Sequence, residues 1–310
     1  MNQEKISIII PVYNEKDNLN ELYNKLKKIM NEFFAGFEYE IIFVDDGSKD
    51  GSFEILKSIH DTDNNVKIIK FSKNFGQHIA IKAGIDMADG DYTVLTDADM
   101  QDDPASINDL YGKLKEGYDV VIGIRENRQD GFFKKISSSL FFKTMNGLSK
   151  VKMQENQAML RIFNKKVLNT LKNMQELSQN NGAFLAWMGF EQGTLPIRHQ
   201  KRAKGKTKYT LLKSLRFASE TIMNFSNKPL IYISIFGMFV SVCSIIFSIF
   251  IIYQKLFHDV GLIGWASTVT FISFFSGMIL FSLGVVGLYI GKLYQQSLGR
   301  PLYIIKDKIE

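Results

Sequence analysis

Residues 92–99 read Tyr-Thr-Val-Leu-Thr-Asp-Ala-Asp, a short apolar run that ends in two aspartates separated by one residue. The run 92–96 is typical of a strand in a parallel sheet, because such strands are covered on both faces. Asp97 and Asp99 follow it, and Gln101 adds a neutral oxygen two residues later. A turn is needed at the strand end before both carboxylates can reach one ion. Oxygen ligands of this kind suit Mg²⁺ or Mn²⁺.

The first 125 residues alternate between apolar strand patterns and amphipathic helix patterns. Strands are predicted at 6–12, 40–44, 66–71, 92–96 and 120–124. Helices are predicted at 19–33, 52–60, 77–87 and 104–115. This alternation predicts an α/β domain with a mainly parallel sheet.

Polar clusters follow three of these strands. Tyr13-Asn14-Glu15 comes after the first strand, Asp45-Asp46-Gly47-Ser48 after the second and Asp97-Ala98-Asp99 after the fourth. Ligands of open parallel sheets bind at the carboxyl ends of the strands. The three clusters therefore predict one shared cleft.

Two uncharged apolar runs, 229–254 and 260–291, lie near the end of the chain. Each exceeds the roughly 20 apolar residues that a helix needs to cross a bilayer. We predict a transmembrane hairpin with spans at about 230–253 and 264–290; the alternative is a pair of buried helices in a soluble core. Basic residues flank both outer ends, which predicts by the positive-inside bias that the hairpin tip faces outward.

These patterns predict four segments: a soluble catalytic domain at 1–208, an amphipathic juxtamembrane helix at 209–228, the hairpin at 229–292 and a tail at 293–310. The apolar stretch at residues 6–11 is too short for a secretory core and is typical of a buried strand, so we expect the catalytic domain and both termini in the cytoplasm. The single cysteine, Cys243, excludes a disulfide framework and a cysteine-based zinc site.

The net charge of +6 is concentrated in residues 198–216, which hold eight Lys or Arg and no Asp or Glu. Such a block can bind nucleic acid, anionic lipid headgroups or a phosphorylated ligand. Its place just before an apolar run favours the lipid readings, so no nucleic-acid partner is expected.

Several motifs resemble those of a known family. Pro11-Val12-Tyr13-Asn14-Glu15, residues 44–51 and residues 97–102 resemble signatures of family 2 glycosyltransferases with the GT-A fold. Asn74-Phe75-Gly76, Ala83-Gly84 and residues 299–303 resemble the polyisoprenyl-phosphate branch, which includes dolichol-phosphate mannose synthase and bacterial undecaprenyl-phosphate sugar transferases. The resemblance covers nearly the whole chain.

The resemblance implies inverting, metal-dependent transfer of a sugar from a nucleotide-diphosphate sugar, a UDP-sugar first, to polyprenyl (undecaprenyl) phosphate. The reaction would occur at the cytoplasmic face of the bacterial inner membrane and supply cell-envelope glycan modification. The sequence does not fix the donor sugar or the base, UDP or GDP. The acidic residue often present in glucosyl and mannosyl enzymes is missing from residues 158–161, which argues against glucose without identifying another sugar.

The resemblance also implies a set of site residues. Nucleotide-sugar contacts fall on Pro11, Tyr13, Glu15, Asp45, Asp46 and Asp97, although Asp45 and Gly47 also suit an ordinary turn. Asp97, Asp99 and Gln101 would bind Mg²⁺ or Mn²⁺. The residues with a catalytic role would be Asp97, Asp99 and Asp102. The residues that would bind the acceptor phosphate are Arg125, Lys134, Ser138, Arg202 and Lys206. A general base is not required, because an ionised phosphate is already a nucleophile.

Two other functions fit parts of the sequence. A processive polysaccharide synthase shares the first 100 residues but usually carries a Gln-x-x-Arg-Trp motif, and Trp187 here follows Phe184-Leu185-Ala186. A non-catalytic membrane scaffold would not need intact Asp97, Asp99 and Gln101. Glycines at 277, 284, 287 and 291 suit either packing within the hairpin or a homo-oligomer, a dimer or a tetramer.

Overall fold

A computed structural model of the protein describes residues 3–125, 156–174, 181–198, 227–258 and 264–310. These residues divide into two compact units. The first takes in the described residues up to 198 together with 301–310, and the second takes in the described residues 227–300. Residues 209–226 of the predicted juxtamembrane helix lie outside the described part of the chain.

The first unit is built on an eight-stranded sheet. Its strands are β1 (Lys5–Val12), β2 (Glu38–Asp45), β3 (Val66–Phe71), β4 (Tyr92–Leu95), β5 (Val120–Arg125), β6 (Gln157–Asn164), β7 (Gln192–Ile197) and β8 (Ile305–Ile309). Its helices are α1 (Leu19–Phe33), α2 (Ser52–His60), α3 (Gln77–Met87), α4 (Ile107–Leu114), α5 (Lys165–Asn173) and α6 (Asn181–Trp187), with a short 3-10 helix at Pro104–Ser106.

The strand order is β7-β5-β6-β4-β1-β2-β3-β8. The pairs β1–β2, β1–β4, β2–β3 and β5–β7 are parallel, whereas β6 runs antiparallel to β4 and β5. The predicted α/β class and its mainly parallel sheet are confirmed. The sheet is mixed because β6 and β8 run against their neighbours.

The central strands are covered on both faces, as their continuous apolar sequence predicts. Ile8, Ile9 and Ile10 of β1 have no exposed surface. α3 lies so close to the sheet that a Cβ at Gly84 would meet Ile9 Cγ2 at 2.3 Å. This close approach explains the glycine and fixes the position of α3, whose first turn borders the candidate site.

The segment predicted as a tail, residues 293–310, contains a strand, because Ile305–Ile309 forms β8. This strand pairs antiparallel with β3, with Ile68 opposite Ile309 and Lys70 opposite Asp307. Its Ile-Lys-Asp-Lys-Ile sequence is mostly exposed, and charged residues on an edge strand discourage pairing with further chains. Residues 305–309 are therefore part of the first unit.

The second unit consists of two long helices, α7 (Lys228–His258) and α8 (Trp265–Ser297). Segments Lys228–Ile251 and Thr268–Ser297 are long and apolar enough to cross a membrane. Large apolar side chains along them, such as Phe239, Ile246 and Leu280, are exposed. Apolar surface this extensive is unfavourable in water and suits a lipid environment.

Candidate active site

The predicted strand-end clusters meet at one edge because β4, β1 and β2 are neighbours in the sheet. The loops after β1 and β2 are tied directly together. Asn14 N donates to Ser48 Oγ at 3.0 Å, and Lys49 N donates to Asn14 Oδ1 at 2.9 Å. Asn14 adopts a left-handed backbone (φ 57°), which lets the chain turn sharply at the end of β1.

The residues of the β1 cluster differ in accessibility. Tyr13 is 43% exposed, so its ring presents an open face at the sheet edge. Pro11 is buried within β1 opposite Val44, which suits a role in shaping the strand. Glu15 Oε2 accepts a hydrogen bond from Asn18 Nδ2 at 2.7 Å. Of these three, Tyr13 is the side chain best placed to stack on a nucleotide base.

Asp45 forms a turn, which is the alternative to a nucleotide contact that the sequence allowed for this residue. Its Oδ1 accepts from Ser48 N at 2.9 Å, and burial raises the pKa of its carboxyl group. Gly47 follows with φ 72°, and a Cβ there would lie 2.6 Å from the carbonyl carbon of Lys73. Asp45 Oδ2 is buried and has no hydrogen-bond partner among the described residues.

Asp46 is 2% exposed and holds the loop that follows β3. Phe75 N donates to its Oδ1 at 2.6 Å, and Gly76 N donates to its Oδ2 at 2.9 Å. Burial raises the pKa of Asp46 and these two N–H donors oppose the shift. The structure therefore shows Asp46 holding a loop, and the direct nucleotide contact that the resemblance implies stays a prediction.

The turn that the sequence requires after β4 is present. Met100 has a left-handed φ of 53°, and Gln101 N donates to Asp99 Oδ1 at 3.2 Å. Asp97 Oδ1 accepts from Gln77 Nε2 at 2.6 Å. Desolvation and the negative charges of Asp99 and Asp102 raise the pKa of Asp97 to about 7.

This acidic cluster fits a divalent cation. Among the described residues no three His, Cys, Asp or Glu side chains already enclose a metal position. Mg²⁺ and Mn²⁺ do not need such a cage, since they commonly bind one or two carboxylates and complete their shell with water and substrate phosphates. A cation here would offset the repulsion between Asp97 and Asp99, and Gln101 would add a neutral oxygen.

Asp102 is 2% exposed and is held by the protein itself. Its Oδ1 accepts from Arg125 Nε at 2.9 Å, and its Oδ2 accepts from Arg125 Nη2 at 3.1 Å and from Met159 N at 3.2 Å. Burial acts to lower the pKa of Arg125, but the bonds and charge of Asp102 outweigh it and the pKa is raised. This geometry suits a positioning role for Asp102 better than the catalytic role that the sequence predicts.

Two side chains at this edge were not predicted from the sequence. Gln77 is the exposed donor to Asp97. Arg161 lies in β6 and is 5% exposed, and its Nη2 donates to Ala158 O at 2.7 Å. Burial lowers the pKa of Arg161 to about 10, although Asp97 and Asp102 act to raise it. The one available signal was an arginine within the otherwise apolar run of residues 158–163.

The structure thus brings Asp97, Asp99 and Gln101 together after β4 and places Asp102 and Arg125 beside them. The predicted acceptor residues Lys134, Ser138, Arg202 and Lys206 lie outside the described residues.

Comparison with known proteins identifies the family. The model of glycosyl transferase family 2 matches residues 7–172. An uncharacterized glycosyltransferase, YkcC of Bacillus subtilis (strain 168), is 39% identical over 301 residues, which cover 97% of this chain and 93% of the relative. A bactoprenol glucosyl transferase of Shigella phage SfV is 32% identical over 305 residues, which cover 98% of this chain and 99% of the relative.

The fold also matches a solved structure, the mannosyltransferase PcManGT from Pyrobaculum calidifontis in complex with GDP-Man and Mn²⁺. The TM-score is 0.51 at 16% identity, and the match covers 71% of this chain and 63% of that one. At this identity the likeness concerns the fold alone. The family match and the nearly full-length relatives lead to one conclusion: the chain belongs to glycosyl transferase family 2 and is a glycosyltransferase with the GT-A fold.

Proposed function

We propose that the enzyme transfers a sugar from a nucleotide-diphosphate sugar, a UDP-sugar in the first instance, to polyprenyl (undecaprenyl) phosphate with inversion. The proposal depends on one observation: a single chain contains both an acidic site at the end of a strand and two helices long enough to cross a membrane. The 32% identity to a bactoprenol glucosyl transferase over nearly both whole chains supports a polyprenyl acceptor.

The donor would lie along the carboxyl ends of β1, β2 and β4. Tyr13 offers an exposed face for the base, and Asp45, in the turn at the end of β2, is the further nucleotide contact that the resemblance implies. Asp97, Asp99 and Gln101 would hold Mg²⁺ or Mn²⁺, which GT-A enzymes typically use. The bound cation supplies stabilisation of the negative charge that develops on the departing diphosphate.

The acceptor phosphate needs cationic partners, because it must approach an anionic donor. Arg125 is the described candidate, and a guanidinium suits phosphate because it offers paired donors. A phosphate oxygen forms a bond to the anomeric carbon on the face opposite the diphosphate as the bond to the diphosphate breaks. Lipid-linked sugar and nucleoside diphosphate are the products. Alignment and electrostatics contribute more here than proton transfer.

We place the enzyme in the bacterial inner membrane with the catalytic domain and both termini in the cytoplasm. The chain enters α7 after the first unit and returns to the sheet of that unit as β8 after α8. The two candidate spans lie between β7 and β8 in chain order, and both strands belong to one sheet, which supports a hairpin with its outer ends on one side of the bilayer. A homo-oligomer is a further prediction, since a Cβ at Gly277, Gly284 or Gly287 would meet nothing within 4 Å beyond its chain neighbours and the nearby backbone of its own helix.

A transfer assay on the full-length enzyme in lipid nanodiscs tests the proposal. We expect divalent cations to be required, and UDP or GDP to be released only when undecaprenyl phosphate accompanies one member of a UDP- and GDP-sugar panel. Mass spectrometry of the lipid fraction should then show an added hexose or related sugar. Transfer to a soluble sugar hydroxyl without lipid would contradict the proposal, as would full activity in excess EDTA.

The loop contacts of Asp46 give a separate prediction. Asp46→Asn keeps the shape of the side chain but replaces one carboxylate oxygen with an NH₂ group. That group would face one of the two backbone N–H donors and could not accept its hydrogen bond. Hydrogen bonds to a charged group contribute about 1.5–3 kcal/mol, so we expect the KM for the donor to rise about 10- to 100-fold. The KM for undecaprenyl phosphate should change little.

Asp103→Asn is the matched control for that variant. Asp103 caps the short 3-10 helix through Ala105 N at 3.1 Å, and asparagine caps equally well. Its donor KM should stay within about twofold of the wild type, since asparagine replaces the cap with little change in stability. A donor KM for Asp46→Asn that matches this control would show that the loop is held by other contacts.

A further inference from the structure

The loop between β3 and α3, residues 72–76, connects two carboxylates of the candidate site. Phe75 N and Gly76 N hold Asp46, at 2.6 and 2.9 Å. The next residue, Gln77, donates its side-chain amide to Asp97 at 2.6 Å. A displacement of this loop would therefore disturb Asp46 and Asp97 together.

Aromatic packing supports this β3–α3 loop. Phe75 meets Phe71 edge-on, with ring centroids 5.5 Å apart and an interplanar angle of 85°. The Phe71 ring in turn stacks on Tyr303, with centroids 5.1 Å apart and an angle of 20°. Such pairs add about 0.5–1.5 kcal/mol beyond the apolar area they bury. Tyr303 thus supports the loop through one intervening ring.

Polar contacts fix the segment that carries Tyr303. Its hydroxyl donates to Asp86 Oδ2 of α3 at 3.0 Å, and Ser72 N donates to Ile304 O at 3.0 Å. Burial, together with the charge of Asp86, raises the pKa of Tyr303, so the phenol stays protonated as a donor. Asp86 is itself held by Lys82 at 2.7 Å. Residues 303 and 304 therefore contact both the beginning of the loop and the helix that follows it.

We propose that Tyr303 is a positioning residue for the nucleotide-sugar site. It keeps the β3–α3 loop where Phe75 and Gly76 hold Asp46 and where Gln77 holds Asp97. The motif at residues 299–303, to which the proposed reaction gives no role, thereby gains one. The proposal rests on the proposed function only in taking a nucleoside diphosphate as the ligand of this edge.

The experiment uses the full-length enzyme in nanodiscs and two readouts, the Kd for UDP and GDP by calorimetry and the KM for each substrate. Tyr303→Ala removes the stacked ring, and we expect its nucleotide Kd and donor KM to rise about 10- to 100-fold, as for a displaced site. The KM for undecaprenyl phosphate should be unchanged. Tyr303→Phe keeps the ring and should recover most of the loss.

Tyr111→Ala is the matched control. Tyr111 also belongs to an aromatic cluster, with Phe34 at 5.4 Å and Tyr92 at 5.1 Å, but Tyr92 begins β4, at the end of the strand away from Asp97. We expect it to lower the melting temperature like Tyr303→Ala and to leave nucleotide Kd unchanged. If Tyr303→Ala does not accumulate, Tyr303→Leu keeps apolar volume without the stacked plane and serves instead.

The outcomes separate this inference from the proposed function. If Tyr303→Ala binds nucleotide as Tyr111→Ala does, or if it raises the KM of both substrates equally, Tyr303 has a structural role only and the inference is wrong. If the wild type transfers sugar to lipid, the proposed function stands in either case. A wild type that binds neither UDP nor GDP would overturn both.

Discussion

Replacing Asp99 with alanine is expected to abolish sugar transfer to undecaprenyl phosphate. The variant removes one of two carboxylates at the end of β4 and with it a ligand of the proposed cation. Loss of one preorganised electrostatic group costs about 10²- to 10³-fold in kcat, and loss of the cation would cost more. The measurement is the initial rate of lipid-linked sugar formation at saturating donor, acceptor and Mn²⁺ or Mg²⁺.

Two further measurements make that result specific to the cation. Binding of Mn²⁺, followed by electron paramagnetic resonance, should weaken in Asp99→Ala and in Asp97→Asn. The control Asp109→Ala changes an exposed aspartate on α4 and should retain wild-type rate and Mn²⁺ binding. Membrane extraction should yield all three variants equally, because none lies in α7 or α8. Transfer that survives in Asp99→Ala would refute the assigned metal role.

The sequence predicted those strands and helices whose own residues show an apolar or amphipathic pattern. β1 to β5 each contain a predominantly apolar stretch, and each was found close to its predicted position. β6 was not identified as a strand, because Arg161 interrupts its apolar pattern. In the structure its guanidinium donates to Ala158 O and Met159 O of β6 itself. β8 was taken as part of a tail, since its mostly exposed Lys and Asp residues carry no signal of burial.

The candidate site divides in the same way. The placement of Asp97 and Asp99 at the same edge as the clusters after β1 and β2 follows from the parallel sheet that the alternating pattern predicts. The partners of Asp46 and Asp102 depend on which loops meet in space, and those partners lie 23 to 57 residues away along the chain. No local pattern separates an aspartate that holds a loop from one that binds a ligand.

Asp102→Asn is expected to impair use of the acceptor by acting through Arg125. The variant keeps the shape but loses the charge that aligns the guanidinium and raises its pKa. Charge-assisted bidentate pairs are roughly twice as strong as neutral hydrogen bonds. We therefore expect kcat/KM for undecaprenyl phosphate to fall about 10- to 100-fold, equivalent to about 1.4–2.7 kcal/mol, with little change in donor KM.

A double-mutant cycle distinguishes this positioning role from direct catalysis. If Asp102 acts only through Arg125, then Asp102→Asn should have little further effect once Arg125→Gln is present, and the two losses should not add. If Asp102 were instead a base or a cation ligand, the fold losses in kcat/KM of the two single variants would multiply in the double variant. Asp102→Asn would then also alter Mn²⁺ binding. Melting temperatures serve as the control, because a buried ion pair broken on one side is destabilising whatever its role in transfer. Additive losses would return Asp102 to the catalytic set, and would leave Arg125 to hold the acceptor phosphate without a carboxylate to orient it.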